Sequence, residues 1–234
     1  MTSVLGFNRN RTTGVNKRLP LNEARYVVID TELTGLDERK DSIVSFGAVR
    51  MVGGRIDLGS SFYRLINPET ELTAQSIVIH QIMPSEVELK PDIDTVLSEF
   101  LEFCGTDIIV GHCLAIDLSF INREMKKRSG AELKNGLLDT LALYQALSKR
   151  VHNHKIFATP LRDYSLYGLA RHLGIPVSRG HNAMMDAFLT AQVFQRFIPL
   201  LLQSGIQEIG DLLRIGCPLK GGDRFRAGGM MMYF

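Results

Sequence analysis

The sequence predicts a single α/β domain in which a mixed sheet, antiparallel at one side and parallel at the other, is flanked by helices. Three observations predict it. Ile43–Val52 and Arg55–Ile66 are strand-like runs on either side of Gly53-Gly54, a pair suited to a tight hairpin turn, and the apolar run Tyr26–Thr31 precedes them. That arrangement is a three-strand antiparallel meander. Tyr26–Thr31 and Ile108–Val110 are short and almost continuously apolar, as strands covered on both faces are. Beyond the meander, segments of helical period alternate with strand, the pattern of a layered α/β fold.

Residues 1–24 are polar and carry Arg9, Arg11, Lys17 and Arg18 ahead of the first acid, Glu23. They read as a basic, loosely ordered, solvated arm, with a nucleic-acid or membrane contact as the lesser alternative. Pro91–Cys104 reads as a helix with Val96, Leu97, Phe100, Leu101 and Cys104 on one face. A strand at Asp107–Gly111 leads through His112 into a helix over Asp117–Arg128, where Leu118, Ile121 and Met125 share a face. Leu137-Leu138-Asp139-Thr140 begins a helix reaching about Lys149, with Asp139 as N-cap. Arg150–Asp163 has no periodicity and reads as a long surface loop. Tyr164–Leu173 is a helix ended by Gly174, and Ala183–Leu202 a long one with Ala187, Ala191, Phe194 and Ile198 in register. The stretch from Gly221 to Phe234 is glycine- and methionine-rich and reads as a flexible tail. The expected organisation is an arm over 1–24, a domain over 25–205 and a partly flexible C-terminal extension over 206–234.

A chain of 234 residues with 45% hydrophobic residues can bury a substantial core. The net charge of +2 permits an anionic partner without demanding one. Cys104, Cys113 and Cys217 are odd in number and lack metal-ligand spacing, so they read as free thiols in a reducing compartment. No apolar stretch approaches the ~20 residues of a membrane span, and no signal-peptide core is evident, so the expectation is a soluble cytoplasmic protein.

The chemistry begins at Asp30-Thr31-Glu32, where the first strand runs out of hydrophobic residues. Period-2 geometry sends Asp30 and Glu32 to the same side of a strand tip. Two anions held there repel each other by an amount that a bound cation would reverse. A plain turn at Thr34-Gly35-Leu36-Asp37 explains the pair as well. Asp117 follows the Ile108–Val110 strand at a helix start, among Leu114, Ala115, Ile116 and Leu118, where an N-cap is the bland reading and an ionised group needing a partner the functional one. Asp186 falls in the first turn of a helix whose face is otherwise Ala187, Thr190 and Ala191, and His181 stands just before that helix.

Taken together, VVIDTELTGL, VGHCLAIDLSF and RGHNAMMDAFLTAQVF, in that order, resemble the DEDDh family of 3′→5′ exonucleases, the group that includes the proofreading subunit of bacterial DNA polymerase III. Weaker likenesses occur at INPE, VIHQI and LLDTLAL, and the resemblance covers roughly residues 25–200. It departs at Cys113, where the family commonly has Asn, at Ile116, where an aromatic residue is common, and at Leu33, where a Thr often stands.

The resemblance implies a ribonuclease H-like fold and a phosphodiester hydrolase using two divalent cations, Mg²⁺ or Mn²⁺, about 3.5–4 Å apart. The acid matching Asp30 would bridge both ions. Those matching Glu32 and Asp186 would hold the ion that carries the attacking water, and the one matching Asp117 the second ion. His181 would be the general base. Leu33, Thr34, Gly35 and Leu36 would cradle the terminal nucleotide, and His112 edges the same place, where it either contacts substrate or braces the strand end. Arg123, Lys126, Lys127 and Arg128 form a basic run that reads as a solvated helix face or a phosphate track. The expected partners are single-stranded or frayed 3′ ends of nucleic acid, DNA first, and a DNA polymerase. The alternatives are an exoribonuclease of the same family and a binding module without catalysis. A phosphotransferase with Asp30 as nucleophile is a further rival, and it leaves the His181–Asp186 pair unexplained.

Overall fold

A computed structural model describes residues 14–151, 153–177 and 181–218. Five strands, β1 (Arg25–Leu33), β2 (Ile43–Val52), β3 (Arg55–Leu65), β4 (Ile108–Gly111) and β5 (Leu137–Asp139), form one sheet in the order β3-β2-β1-β4-β5. The first three are the antiparallel meander; β4 and β5 join β1 in parallel. The mixed sheet expected from the sequence is present.

The central strand shows why both faces must be covered. Tyr26 and Val28 of β1 belong to a buried cluster with Phe194, Phe197 and Leu201 of α7 (Ala183–Gln203). Val27 and Ile29 point the other way, into a cluster with Val96, Leu97 and Phe100 of α3 (Ile93–Cys104) and Phe120 and Ile121 of α4 (Ala115–Ser129). Period-2 alternation thus divides β1 between two apolar layers. α5 (Thr140–Arg150) and α6 (Leu166–His172) extend the α7 layer.

The long helix seats closely. Gly47 of β2 lies opposite Asp30 in the ladder, and a Cβ on it would stand 2.1 Å from the carbonyl of Ala183 at the start of α7. Only a residue without a side chain lets the helix N-terminus reach the sheet there.

Several expectations are corrected. Leu137–Asp139 is a strand, not a helix start; three residues show no period, and the strand is defined by its pairing with β4. Asp139 is the N-cap of α5, as expected, and its second oxygen accepts the backbone N–H of Leu114, tying β5 to the start of α4. That helix starts at Ala115, so Asp117 lies inside its first turn and is not an N-cap. Helices α1 (Ala74–His80), α2 (Pro84–Val87) and α8 (Ile209–Ile215) have no counterpart in the sequence reading, being too short to display an apolar stripe.

Part of the predicted arm is packed rather than solvated. Leu21 and Ala24 are fully buried, Pro20 bridges to Glu208, and Tyr26 donates its hydroxyl to the Leu21 carbonyl. Ile206, Ile209 and Leu212 are buried in the same layer. The first thirteen residues and the Gly221–Phe234 tail lie outside the described residues. In the Arg150–Asp163 loop, a 3₁₀ turn at Lys155–Phe157 anchors through Phe157 on Tyr144 and through the Ile156 carbonyl, which His172 Nε2 meets at 2.8 Å. Cys104 and Cys113 are buried and Cys217 is exposed, and none of the three is in a disulfide. Among the described residues no helix is long and apolar enough to cross a membrane.

Candidate active site

Asp30 and Glu32 occupy the end of β1, paired with Gly47 and Ser45 of β2, and the ladder slips just beyond Glu32. Both lie on the side that α7 covers. Asn182 caps that helix by accepting the N–H groups of Met184 and Met185, which fixes its first turn and with it Asp186. The result is a compact group: carboxylate oxygens of Asp30, Glu32 and Asp186 lie within 4.8 Å of one another. The close approach at Gly47 makes this possible.

Asp117 arrives from the opposite layer. Thr31, which alternation turns toward α4, donates its hydroxyl to Asp117 Oδ1 at 2.6 Å. Asp117 lines the same cavity but stands outside the tight three-acid group. His181 precedes α7 with Nδ1 3.8 Å from Asp186 Oδ2, and its side chain is 42% exposed. The structure therefore gathers all five predicted residues around one hollow, three in direct proximity and two at its margin.

Tyr167 of α6 went unnoticed in the sequence. Its hydroxyl donates to Asp186 Oδ1 at 2.6 Å, and the ring meets His181 edge-on at 5.2 Å. An aromatic residue inside a short helix reads as core, so nothing local announced it.

The electrostatics are those of buried acids that repel one another. Burial, then the charges of Asp117, Glu32 and Asp186, hold the Asp30 carboxyl well above the usual range. Burial and the charges of Asp186 and Asp117 push Glu32 up to about 8. Burial raises Asp117 to about 6 against the opposing hydrogen bond from Thr31. Asp186 is raised by burial too, with the Tyr167 hydroxyl and His181 pulling the other way. No Lys or Arg is among the described residues lining the cavity. Hard carboxylate oxygens, converging and mutually repelling, form a donor set suited to Mg²⁺ or Mn²⁺.

The cavity has a volume of about 440 Å³ and is walled by Leu33, Thr34, Gly35 and Leu36 on one side and by Gln75, Ser76, Ile79 and His80 of α1 on another. The α1 wall was missed along with the helix. Leu36 is 46% exposed, although it lines the cavity. His112 edges the cavity, yet its ring bonds Thr140 Oγ1 at 2.8 Å and the Tyr164 carbonyl at 2.9 Å, so both nitrogens brace the fold. The basic run is likewise engaged with acids. Arg123, Lys127 and Arg128 all meet the buried Glu124, and Lys126 pairs with Glu132.

A family model described as an exonuclease, of the RNase T type, matches residues 27–194. The chain belongs to the exonuclease family. Members at 30% identity or more include DNA polymerase III subunit epsilon of Aquifex aeolicus, 34% identical over 194 residues, which cover 82% of this chain and 90% of that protein. The PolC-type DNA polymerase III of Thermotoga maritima is 36% identical over 193 residues, but the match spans only 13% of that much longer protein. Among solved structures, exonuclease X in complex with 5′-overhanging duplex DNA is 22% identical, covers 80% of this chain and 99% of its own, and has a TM-score of 0.59. An exonuclease I structure has a TM-score of 0.67 at 18% identity, covering 78% of this chain and 42% of its own. These likenesses show a common fold, an exonuclease sheet of the ribonuclease H-like kind.

Proposed function

We propose that this protein is a metal-dependent 3′→5′ exonuclease that removes nucleoside monophosphates from the 3′ end of DNA. The observation that carries the reading is the convergence of Asp30, Glu32 and Asp186 within 4.8 Å at a strand tip, in a cavity that no Lys or Arg lines among the described residues. Asp30, Glu32 and Asp186 would hold Mg²⁺ or Mn²⁺, and Asp117, from α4, would serve a second ion. When bound, such ions neutralise the phosphate and acidify water near neutral pH.

The remaining steps fall to the chain. His181 stands at the exposed margin, 3.8 Å from Asp186, and its imidazole is the group to accept the proton of the attacking water. The wall of Leu33, Thr34, Gly35 and Leu36 receives the terminal nucleotide, and His112 sets the edge of that wall. DNA is favoured over RNA because the epsilon subunit and the PolC-type enzyme are DNA polymerase components. The same relatives support association with a polymerase; single-stranded or frayed 3′ ends as substrate and a cytoplasmic location are part of the same proposal.

The test is incubation with Mn²⁺ and 3′- or 5′-labelled DNA and RNA oligonucleotides. Stepwise loss from the 3′ end of DNA is expected, together with silence of Asp30→Ala and a strong slowing in His181→Ala. Release from the 5′ end, or cleavage by Asp30→Ala at the wild-type rate, overturns the assignment.

A further inference from the structure

The nucleotide wall is itself held from a distance. The connection between β1 and β2 carries Thr34, Gly35 and Leu36, and it folds back on Asp41. The Asp41 carboxylate accepts the N–H of Asp37 at 2.7 Å and the hydroxyl of Thr34 at 3.2 Å. It fills a notch at Gly35, where a Cβ would stand 2.4 Å from its Oδ2. Across this hairpin lies the C-terminal half of α4. Arg123 there donates through one terminal nitrogen to two loop carbonyls, Glu38 and Asp41. Its other two nitrogens meet Glu124 Oε1, at 2.8 Å and 2.7 Å. The Glu124 side chain is 3% exposed and also takes Lys127 and Arg128, so it is a fixed anchor.

We infer that Arg123 is a positioning residue for the substrate wall: its guanidinium, seated on buried Glu124, clamps the loop that shapes the terminal-nucleotide cavity. Three features carry this. All three guanidinium nitrogens are spent on protein acceptors, which leaves no fork for a phosphate. On the loop the targets are the main-chain carbonyls of Glu38 and Asp41, so what the contact specifies is a backbone path rather than a side chain. The helix that presents Arg123 also presents Asp117 six residues earlier, so one rigid element sets the loop relative to an acid of the site. A wall ordered in advance spares substrate the cost of ordering it on binding.

The inference rests on the exonuclease reading for its kinetic part and on the loop alone for its structural part, so the full chain is tested both ways. Arg123→Lys keeps the charge and loses the fork; Asp41→Asn disturbs the same loop from within. With a labelled DNA oligonucleotide and Mn²⁺, both variants should raise KM by about tenfold while kcat changes less than about twofold. Their Mn²⁺ affinity by calorimetry should equal that of the wild type. Amide exchange should accelerate at Asp37–Asp41 and not in β1 or α7. The salt dependence of oligonucleotide binding should keep its slope, because no phosphate contact is lost.

A shallower slope in Arg123→Gln, which removes the charge, would mean that Arg123 holds phosphate, and unchanged exchange at Asp37–Asp41 in Arg123→Lys would mean that it clamps nothing; either overturns the inference. A wild type that leaves DNA intact defeats the exonuclease reading instead, while the exchange experiment still decides whether Arg123 orders the loop.

Discussion

Tyr167 and Asp186 are joined by a 2.6 Å hydrogen bond in which the phenol donates to Oδ1, while Oδ2 faces His181 at 3.8 Å. One carboxylate is thus addressed on both sides, by an orienting hydroxyl and by the candidate base. Tyr167→Phe keeps the ring against His181 and removes only the donor. With the orientation of a metal ligand loosened, half-saturation by Mn²⁺ should rise on the order of tenfold, the usual cost of losing an outer partner. The rate at saturating metal should stay near that of the wild type. A Mn²⁺ titration of both activity and heat reads this, and an unmoved titration would refute the orienting role.

The acids make stability depend on pH with a definite sign. Unfolded Glu and Asp lose their protons near ~4, whereas folded Glu32 does so at about 8 and Asp117 at about 6, with Asp30 and Asp186 also displaced upward. Between those values the folded state binds more protons than the unfolded one, so rising pH favours unfolding. The penalty is absent below pH ~4 and grows through the window, the Asp117 part to about 6 and the Glu32 part to about 8. In chelator, the melting temperature should fall from pH 5 to pH 8. Mg²⁺ at a hundred times its Kd should return about 2.7 kcal/mol. A melting temperature that climbs over this interval without metal contradicts the picture.

How much of this was legible in the sequence follows from the range of the interactions. The shared side of Asp30 and Glu32 is a property of one strand, and period-2 geometry alone predicts it. The parallel pairing that defines β5 and the Tyr167–Asp186 bond join residues distant in the chain or lie in segments too short for periodicity, whereas the Asn182 cap of α7 is a local signal. Helix α1, a wall of the cavity, is seven residues long and was invisible for that reason. The basic run beyond Asp117 was ambiguous between solvent and phosphate. Its engagement with Glu124 depends on the burial of that one acid, which local pattern does not show.

Gly47 offers a test of how the halves of the site are brought together. Ala183 lies where a Cβ would project, so Gly47→Ala must push the start of α7 away from β2. Asp186 moves with the helix and leaves Asp30, the ladder partner of Gly47. Overpacking of this kind costs about 1–3 kcal/mol. The variant should melt earlier and, at temperatures where it is still folded, bind Mn²⁺ markedly more weakly. Destabilisation with full metal affinity would show that the helix tolerates the shift without moving its acid.

Cys113 turns the chain between β4 and α4 in a left-handed conformation, with φ of 53°, while lining the cavity. For a residue with a Cβ this backbone is strained, by roughly 1–2 kcal/mol, and Asn bears it best among the non-glycine residues because its short amide can satisfy the local backbone. Cys113→Asn should therefore raise the melting temperature, by roughly 2–4 °C if about 1 kcal/mol of strain is relieved. Cys113→Val, β-branched at the same φ, should lower it. Exonuclease activity should survive in the Asn variant, since the acids and His181 lie on other residues. The comparison separates backbone strain from loss of the thiol: both variants remove sulfur, so if both destabilise equally, the thiol's packing and not the left-handed turn governs this position.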